Sequence, residues 1–333
     1  MLNQLPRARW ITATAMAAGL LLTGCASDSP DTAGHLEQTT ITVDAFEAID
    51  TAGLFIAQQD GLFAREGLNV KLRLQTLVQP QVDDLIQGKA DIISGDYVTF
   101  IENQTGGDPD LHGQRPDLRI IAESSFLQPN VLEVVVPPHT PVTSVAALRG
   151  KRISILAPRN IGGILVNSLL EANGIPLRDE QFPLVPFPAV GAAFAHGKMD
   201  AAFVPEPFVT LLEEGGGVQE LADLDEGPTS NFPIQGLATS QSWAQRNPDT
   251  LRAFLRAYNE GQLIAATSRS QVERVLETFL HLPPVVASLV SLPAFPQGVD
   301  PVRLQRTVSA MLRFGMLSRK FSDLSIKSMI YNG

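Results

Sequence analysis

An α/β fold built as two similar lobes is predicted by three observations: strand-like and helix-like segments alternate along the chain, the series occurs twice, and the composition is that of a globular protein. The 333 residues are 44% hydrophobic and 18% charged, and a chain of this length supports about two domains without disulfide or metal staples. The first series opens with the strand-like run Thr40 to Val43, followed by the loop Asp44 to Asp50 and apolar residues at helical spacing from Thr51 to Arg65, ended by Gly67. Leu68 to Leu74 alternates as a strand, Pro80 to Gly88 reads as a short helix, and Ala90 to Ser94 reads as a strand that stops at Gly95-Asp96-Tyr97. The second series starts at the strand Ile153 to Leu156 and passes through the loop Ala157 to Gly163 to a helix, Ile164 to Ala172, that stops at Asn173-Gly174. A strand region around Pro183 to Phe187, a helix from Val190 to Gly197 and the strand Ala201 to Val204 complete it, ending at Pro205-Glu206-Pro207. Gly88-Lys89-Ala90-Asp91 aligns with Gly197-Lys198-Met199-Asp200 at an offset of 109 residues, and Gly67 with Gly174 at 107. A nearly constant offset marks two copies of one design.

Composition removes several function classes. A net charge of −10 with scattered basic residues offers no footprint for a phosphate backbone, so nucleic acid is excluded as a partner. A single cysteine, Cys25, rules out disulfide frameworks, Cys-x-x-Cys redox pairs and cysteine zinc clusters. The five histidines, His35, His112, His139, His196 and His281, lack metal-binding spacing, so neither metal nor cofactor is expected. A nucleophile elbow and a phosphate-binding loop are both missing, which argues against catalysis.

Arg7 and Arg9 precede an uncharged, mostly apolar run from Trp10 to Leu22, the layout of a secretory signal and shorter than the roughly 20 residues of a membrane span. Leu22-Thr23-Gly24-Cys25 resembles a bacterial lipobox. The expectation is a signal peptide over 1–24, acylation at Cys25, a flexible tether over 25–39, and a mature protein held on the outside of the cell membrane by its lipid.

Segment 52–70, AGLFIAQQDGLFAREGLNV, resembles the opening signature of the substrate-binding proteins of ABC importers for aliphatic sulfonates, nitrate and the thiamine pyrimidine precursor. Val145 to Ile153 is similar to that family's entry to its second lobe, and Gly197 to Ala201 with Glu206-Pro207-Phe208 to its later motif. The resemblance runs from about residue 40 to about residue 270. It implies a two-lobed, type II periplasmic-binding-protein fold, a monomer, a small-molecule ligand, and a permease with its ATPase as partners. It also implies two chain crossings, placed near Val131 to Pro137 and near Phe232 to Leu237. Lobe one would then comprise 40–131 and 236–333, the latter largely helical, and lobe two 132–235.

Ligands in open α/β sheets bind beyond the carboxyl ends of the strands. That rule selects the loops 46–51, 96–97, 157–163 and 206–208. The candidate ligand-binding residues are Phe46, Glu47, Asp50, Asp96, Tyr97, Phe126, Arg159, Asn160, Gly162, Gly163, Glu206 and Phe208. Four acids against Arg159 favour an amine-bearing nutrient of aminopyrimidine type, with the aromatics offering faces to a ring. Sulfonate, taurine or nitrate binding through Arg159 and the glycine backbone is the alternative, followed by an enzyme resembling the pyrimidine-precursor synthases that share the fold, whose cysteine-rich motif is missing here.

Overall fold

The computed structural model describes residues 35–106, 117–157, 159–176 and 182–332. The expected signal segment 1–24, Cys25 and the expected tether up to residue 34 lie outside the described residues. No helix among the described residues is long and apolar enough to cross a membrane.

The first lobe begins with β1 (Thr40–Phe46), which places Ile41, Val43 and Ala45 in the core by strand alternation. Asp44, expected in a loop, is instead a strand residue; it is buried and engaged by Arg73 through two hydrogen bonds of 2.6 and 2.8 Å. The single helix expected over 51–65 is two, α1 (Ala52–Gln59) and α2 (Leu62–Arg65), because Gly61 takes a left-handed conformation (φ 69°) between them. There follow β2 (Asn69–Gln75), α3 (Gln79–Ile86), β3 (Ile92–Asp96), α4 (Tyr97–Thr105) and β4 (Leu118–Phe126).

The chain then enters a second sheet with β5 (Leu132–Val136), β6 (Ile153–Ser154), α5 (Ile161–Ala172), α6 (Val190–Ala195), β7 (Ala201–Pro205), α7 (Phe208–Glu214) and β8 (Gln219–Asp223). It returns as β9 (Pro233–Ser240), followed by α8 (Gln241–Arg246), α9 (Pro248–Thr267), α10 (Arg269–Phe279), α11 (Pro284–Leu289) and α12 (Pro301–Arg313).

The two sheets have one topology. Sheet one runs β2-β1-β3-β9-β4, with β9 antiparallel to both neighbours. Sheet two runs β6-β7-β5-β8, with β5 antiparallel to both neighbours, and an isolated parallel bridge from Ile155 to Leu184 supplies the position that β2 fills in sheet one. Each lobe therefore lends the other its antiparallel strand. This corrects the crossings: Leu132–Val136 and Pro233–Leu237 are not connectors but parts of β5 and β9, and the chain changes sheets over 127–131 and 224–232. Residues 233–235 accordingly pair in sheet one, with β3 and β4.

The repeat extends to single groups. Gly67, Gly88, Gly174 and Gly197 all have φ between 62° and 78°, conformations in which a β-carbon is strained. Asp91 accepts a hydrogen bond from the Thr42 amide (2.8 Å) and its own amide donates to the Thr42 carbonyl (2.9 Å); Asp200 makes the same pair of contacts with Arg152, both at 2.9 Å.

One face of sheet one carries α1, α2, α9 and α10 over a core that includes Phe55, Phe63, Phe254 and Tyr258. Phe55 stacks on Phe279 (4.5 Å) and Phe63 on Phe254 (5.0 Å). Helices α1 and α9 meet at Gly53 and Gly261, where a β-carbon on Gly261 would lie 2.2 Å from the Gly53 carbonyl oxygen. A second core under α4 and α12 continues through Leu127, Val131 and Phe232 into Leu148, Ile164 and Leu170 of lobe two. A third, smaller one packs α6 and α7 on sheet two.

The end of the expected tether is not free. Both Glu37 carboxylate oxygens accept hydrogen bonds from the first turn of α9, from the amides of Asp249 (3.1 Å) and Thr250 (2.9 Å), and these donors hold the carboxyl at about 2 against the opposing effect of burial. Gln38 bridges Thr250, Thr40 and the Trp243 indole N–H.

Candidate functional site

Register fixes where the strand ends meet. Asp96 pairs with Gln235 and Phe126 with Pro233 at one edge of sheet one, while Leu132 pairs with Pro205 and Glu133 with Asp223 at one edge of sheet two. Both edges adjoin the two crossings, so the loops after β1, β3, β6 and β7 face one interlobe region.

The lobe-one side is a locked polar floor. The Phe46 amide donates to Ser94 Oγ (2.5 Å), and the Phe46 carbonyl accepts from Thr51 Oγ1 (2.7 Å). Gln235 Nε2 donates to Thr51 Oγ1 (2.9 Å), and the Gln235 carbonyl accepts from the Tyr97 hydroxyl (2.8 Å). Asp50 accepts from Ser125 Oγ at 2.5 Å; burial raises its carboxyl above the usual range, and the Ser125 donor opposes that. Beneath, Glu123 is fully buried against Arg303 (2.9 Å) and the Asp300 amide, and the Arg303 guanidinium lies 4.2 Å from the centre of the Phe126 ring.

The strand-tip acids turn out to have matching local roles. Asp96 caps α4, accepting from the Thr99 amide (3.0 Å) and hydroxyl (2.8 Å). Glu206 accepts from the Thr210 amide (3.1 Å) and hydroxyl (2.8 Å) in the first turn of α7, and in addition from the Ser291 amide of lobe one (2.9 Å). Burial raises both carboxyls and these donors lower them.

Three other expected residues are drawn inward. Tyr97 is 1% exposed and packs edge-on to Phe100, so its ring has no face toward the interlobe region. Gly162 and Gly163 belong to α5, not to a loop, because the Asn160 side chain accepts from the Gly163 amide (3.1 Å) and starts the helix there. At Gly162 a β-carbon would lie 2.7 Å from the Phe203 ring, so this glycine serves close packing. Phe208 packs on Phe187 (5.5 Å), half-buried, and Glu47 is exposed. Arg159 reaches from lobe two to lobe one, pairing with Glu102 on α4 (2.6 Å) and donating to the Met316 carbonyl.

Thr51, Ser125, Gln235, Glu102 and Ser291 join the region without being among the residues expected from sequence. Thr51 and Ser125 adjoin named residues, but Gln235, Glu102 and Ser291 are joined to the region only through contacts more than 50 residues apart in sequence. A depression of about 810 Å³ lies elsewhere, at the opposite pole of lobe one, lined by Glu37, Asp91, Trp243 and Arg246. It contains none of the strand-end loops. Among the described residues no cluster of three or more His, Cys, Asp or Glu side chains is arranged to hold a metal ion.

Solved structures with this architecture include the alkanesulfonate-binding protein SsuA from Xanthomonas axonopodis pv. citri bound to MOPS, at 18% identity and a TM-score of 0.73 over 90% of this chain and 100% of that one. The periplasmic nitrate-binding protein NrtA from Synechocystis PCC 6803 aligns at 16% identity and 0.74 over 89% and 87%. The desulfurization enzyme DSZB aligns at 15% and 0.63 over 84% and 93%. The chain thus has the two-lobed periplasmic-binding-protein fold, and that fold hosts both binding proteins and an enzyme. No curated protein sequence matches it. Residues 34–275 match the NMT1-like family, and the chain belongs to that family.

Proposed function

We propose that this protein is the solute-binding component of an ABC importer, capturing a small molecule between its lobes and presenting it to a membrane permease. The observation that carries this reading is the meeting of four strand-end loops, two from each of two topologically equal lobes joined by only two crossings. A solute that touches both lobes stabilises the form in which they are together, and that form is the signal for the permease. Its relatives in fold, SsuA and NrtA, are described as binding alkanesulfonate and nitrate. Acylation at Cys25 would hold the protein at the membrane, a reading supported by the Leu22-Thr23-Gly24-Cys25 segment.

The ligand we infer is amine-bearing, of aminopyrimidine type. Arg159, the cation of these loops, is neutralised by Glu102 and its guanidinium is further engaged by a carbonyl, while Asp50, half-buried on the lobe-one floor, takes one side-chain donor. A sulfonate would have to break the Arg159 pair, whereas an amino group can donate to Asp50 directly. Binding is preferred to catalysis because Asp50 and Ser125 bond to each other without an imidazole.

A thermal-shift screen of the full chain against aminopyrimidines, spermidine, taurine, other alkylsulfonates and nitrate tests this. A bound solute at a hundredfold excess over Kd adds about 2.7 kcal/mol of stability. A shift with an amine alone supports the reading; a shift with sulfonate or nitrate alone sinks the ligand assignment, and no shift across the panel removes the support for solute capture.

A further inference from the structure

Polar contacts bridge the lobes on several element pairs: Arg313 on α12 meets Glu171 on α5 at 2.6 Å, both exposed, and two further contacts involve the strand-end loops. On one, Arg159 Nη2 of lobe two meets Glu102 Oε1 of α4 at 2.6 Å and also donates to the Met316 carbonyl just beyond α12. On the other, Glu206 Oε1 accepts from the Ser291 amide at 2.9 Å, where α11 of lobe one packs on α7 of lobe two. Three of the four ends are held from behind. Arg159 adjoins Asn160, which caps α5; Glu102 lies on the helix that Asp96 caps; and Glu206 is fastened to Thr210 by two hydrogen bonds independent of the other lobe. Side chains so positioned lose little freedom when the bridge forms, which is what makes such a contact effective.

We propose that Arg159–Glu102 and Glu206–Ser291 are a pair of latches that stabilise the form in which the lobes are together, so that these residues position the lobes and do not contact the solute. The latches are read from the interlobe contacts, and only their consequence for uptake rests on the reading of the interlobe region as a solute site. If the lobes part, Glu206 keeps both Thr210 donors while Arg159 and the Ser291 amide exchange their partners for water. Solute affinity then depends on how much of the closed form the latches already maintain, since the apparent Kd scales inversely with the competent fraction.

The test is the interlobe distance in solute-free protein, measured by pulsed electron spin resonance on the full Cys25→Ser chain with spin labels at Lys71→Cys and Lys198→Cys, both exposed positions, one on each lobe. The unsubstituted chain is expected to show a short distance alongside a longer one. Arg159→Gln and Glu102→Gln are each expected to lower the ratio of closed to open form five- to tenfold, and the exchange Arg159→Glu with Glu102→Arg to recover at least half of the loss. Distances unchanged by either single substitution, an exchange variant as open as the singles, or an unsubstituted chain with no short-distance population would overturn the proposal. A direct role of Arg159 in holding an anion makes the opposite forecast for Glu102→Gln, which would then leave the lobes closed and tighten taurine binding. Since the distances are measured without solute, failure of the solute screen leaves them intact, and failure here leaves the screen intact.

Discussion

Glu133 is a carboxyl in the wrong place for a charge. It lies on β5, 3% exposed, with one oxygen lacking a hydrogen-bond partner. Burial pushes its titration up to about 8, with further contributions from Glu220, Glu213, Glu206 and Asp223. Its ordinary value is 4.5, so between those limits the folded chain keeps a proton that the unfolded chain has released. Folding takes up that proton, and stability falls by about 1.4 kcal/mol for each pH unit in the window. The contribution is fully favourable below 4.5, declines as pH rises toward 8, and is constant beyond. From pH 5 to pH 7 the loss is about 3 kcal/mol, a large share of a stability of roughly 5–15 kcal/mol. Glutamine at this position keeps the shape of the neutral acid and cannot ionise. Urea unfolding of the native chain and Glu133→Gln, followed by tryptophan fluorescence at half-unit steps from pH 4.5 to 8.5, should give similar midpoints at the acid end and a variant more stable by about 3 kcal/mol at pH 7. Asp50, Asp96, Glu123 and Glu206 are also raised by burial, but they are common to both proteins and largely cancel in the difference. Parallel curves for the two proteins across this range would refute the assignment of Glu133 as a buried neutral acid.

Three further outcomes follow from packing and pairing. Gly53→Ala puts a β-carbon 1.8 Å from the Gln262 amide oxygen at the α1–α9 crossing, and the strain should cost about 1–3 kcal/mol in urea unfolding; an unshifted midpoint would show that the helices move apart freely. Arg303→Ala leaves Glu123 buried without its guanidinium, and removing one member of a buried pair costs about 3–5 kcal/mol, so a melting temperature within a degree of the parent would contradict the buried-pair reading. Glu37→Ala removes the carboxylate that caps α9 and should cost about 1 kcal/mol at pH 7. Because that carboxyl is held at about 2, its contribution is complete above 4.5 and disappears as pH falls through 2, so parent and variant should converge in acid, and a constant difference down to pH 2 would speak against it.

Much of the architecture was legible because the duplication is written in residues with one conformational meaning. Glycines that end helices in left-handed geometry, and an aspartate that pins the start of a neighbouring strand, recur at nearly constant offset and have the same roles in both lobes. What escaped was the exchange of strands between lobes. Val131 to Val136, apolar but for Glu133 and ended by Pro137, reads equally well as a connector; only pairing with β7 and β8, which lie far along the chain, makes it a strand. Strand β8 was hidden because it follows the glycine-rich stretch 215–217 and begins with the exposed Gln219 and Glu220 at a sheet edge.

At the site, sequence located the loops but misassigned several groups on them. Asp96 with Thr99, and Glu206 with Thr210, carry a readable signal, an acid at a strand tip followed within four residues by a threonine at a helix start, and that is a capping pattern before it is a ligand pattern. The partners of Arg159 and Glu206 in the other lobe left no local trace, since Glu102 and Ser291 become neighbours only when the lobes face each other.

Calorimetric titration of the panel solute that gives the largest thermal shift, run on the native chain and on Asp50→Asn, tests most directly whether the lobe-one floor holds the ligand. One site per chain and a Kd at least tenfold weaker in a folded Asp50→Asn protein is the expected result. An affinity unchanged by that substitution would take Asp50 out of the site and contradict an amine held between the lobes.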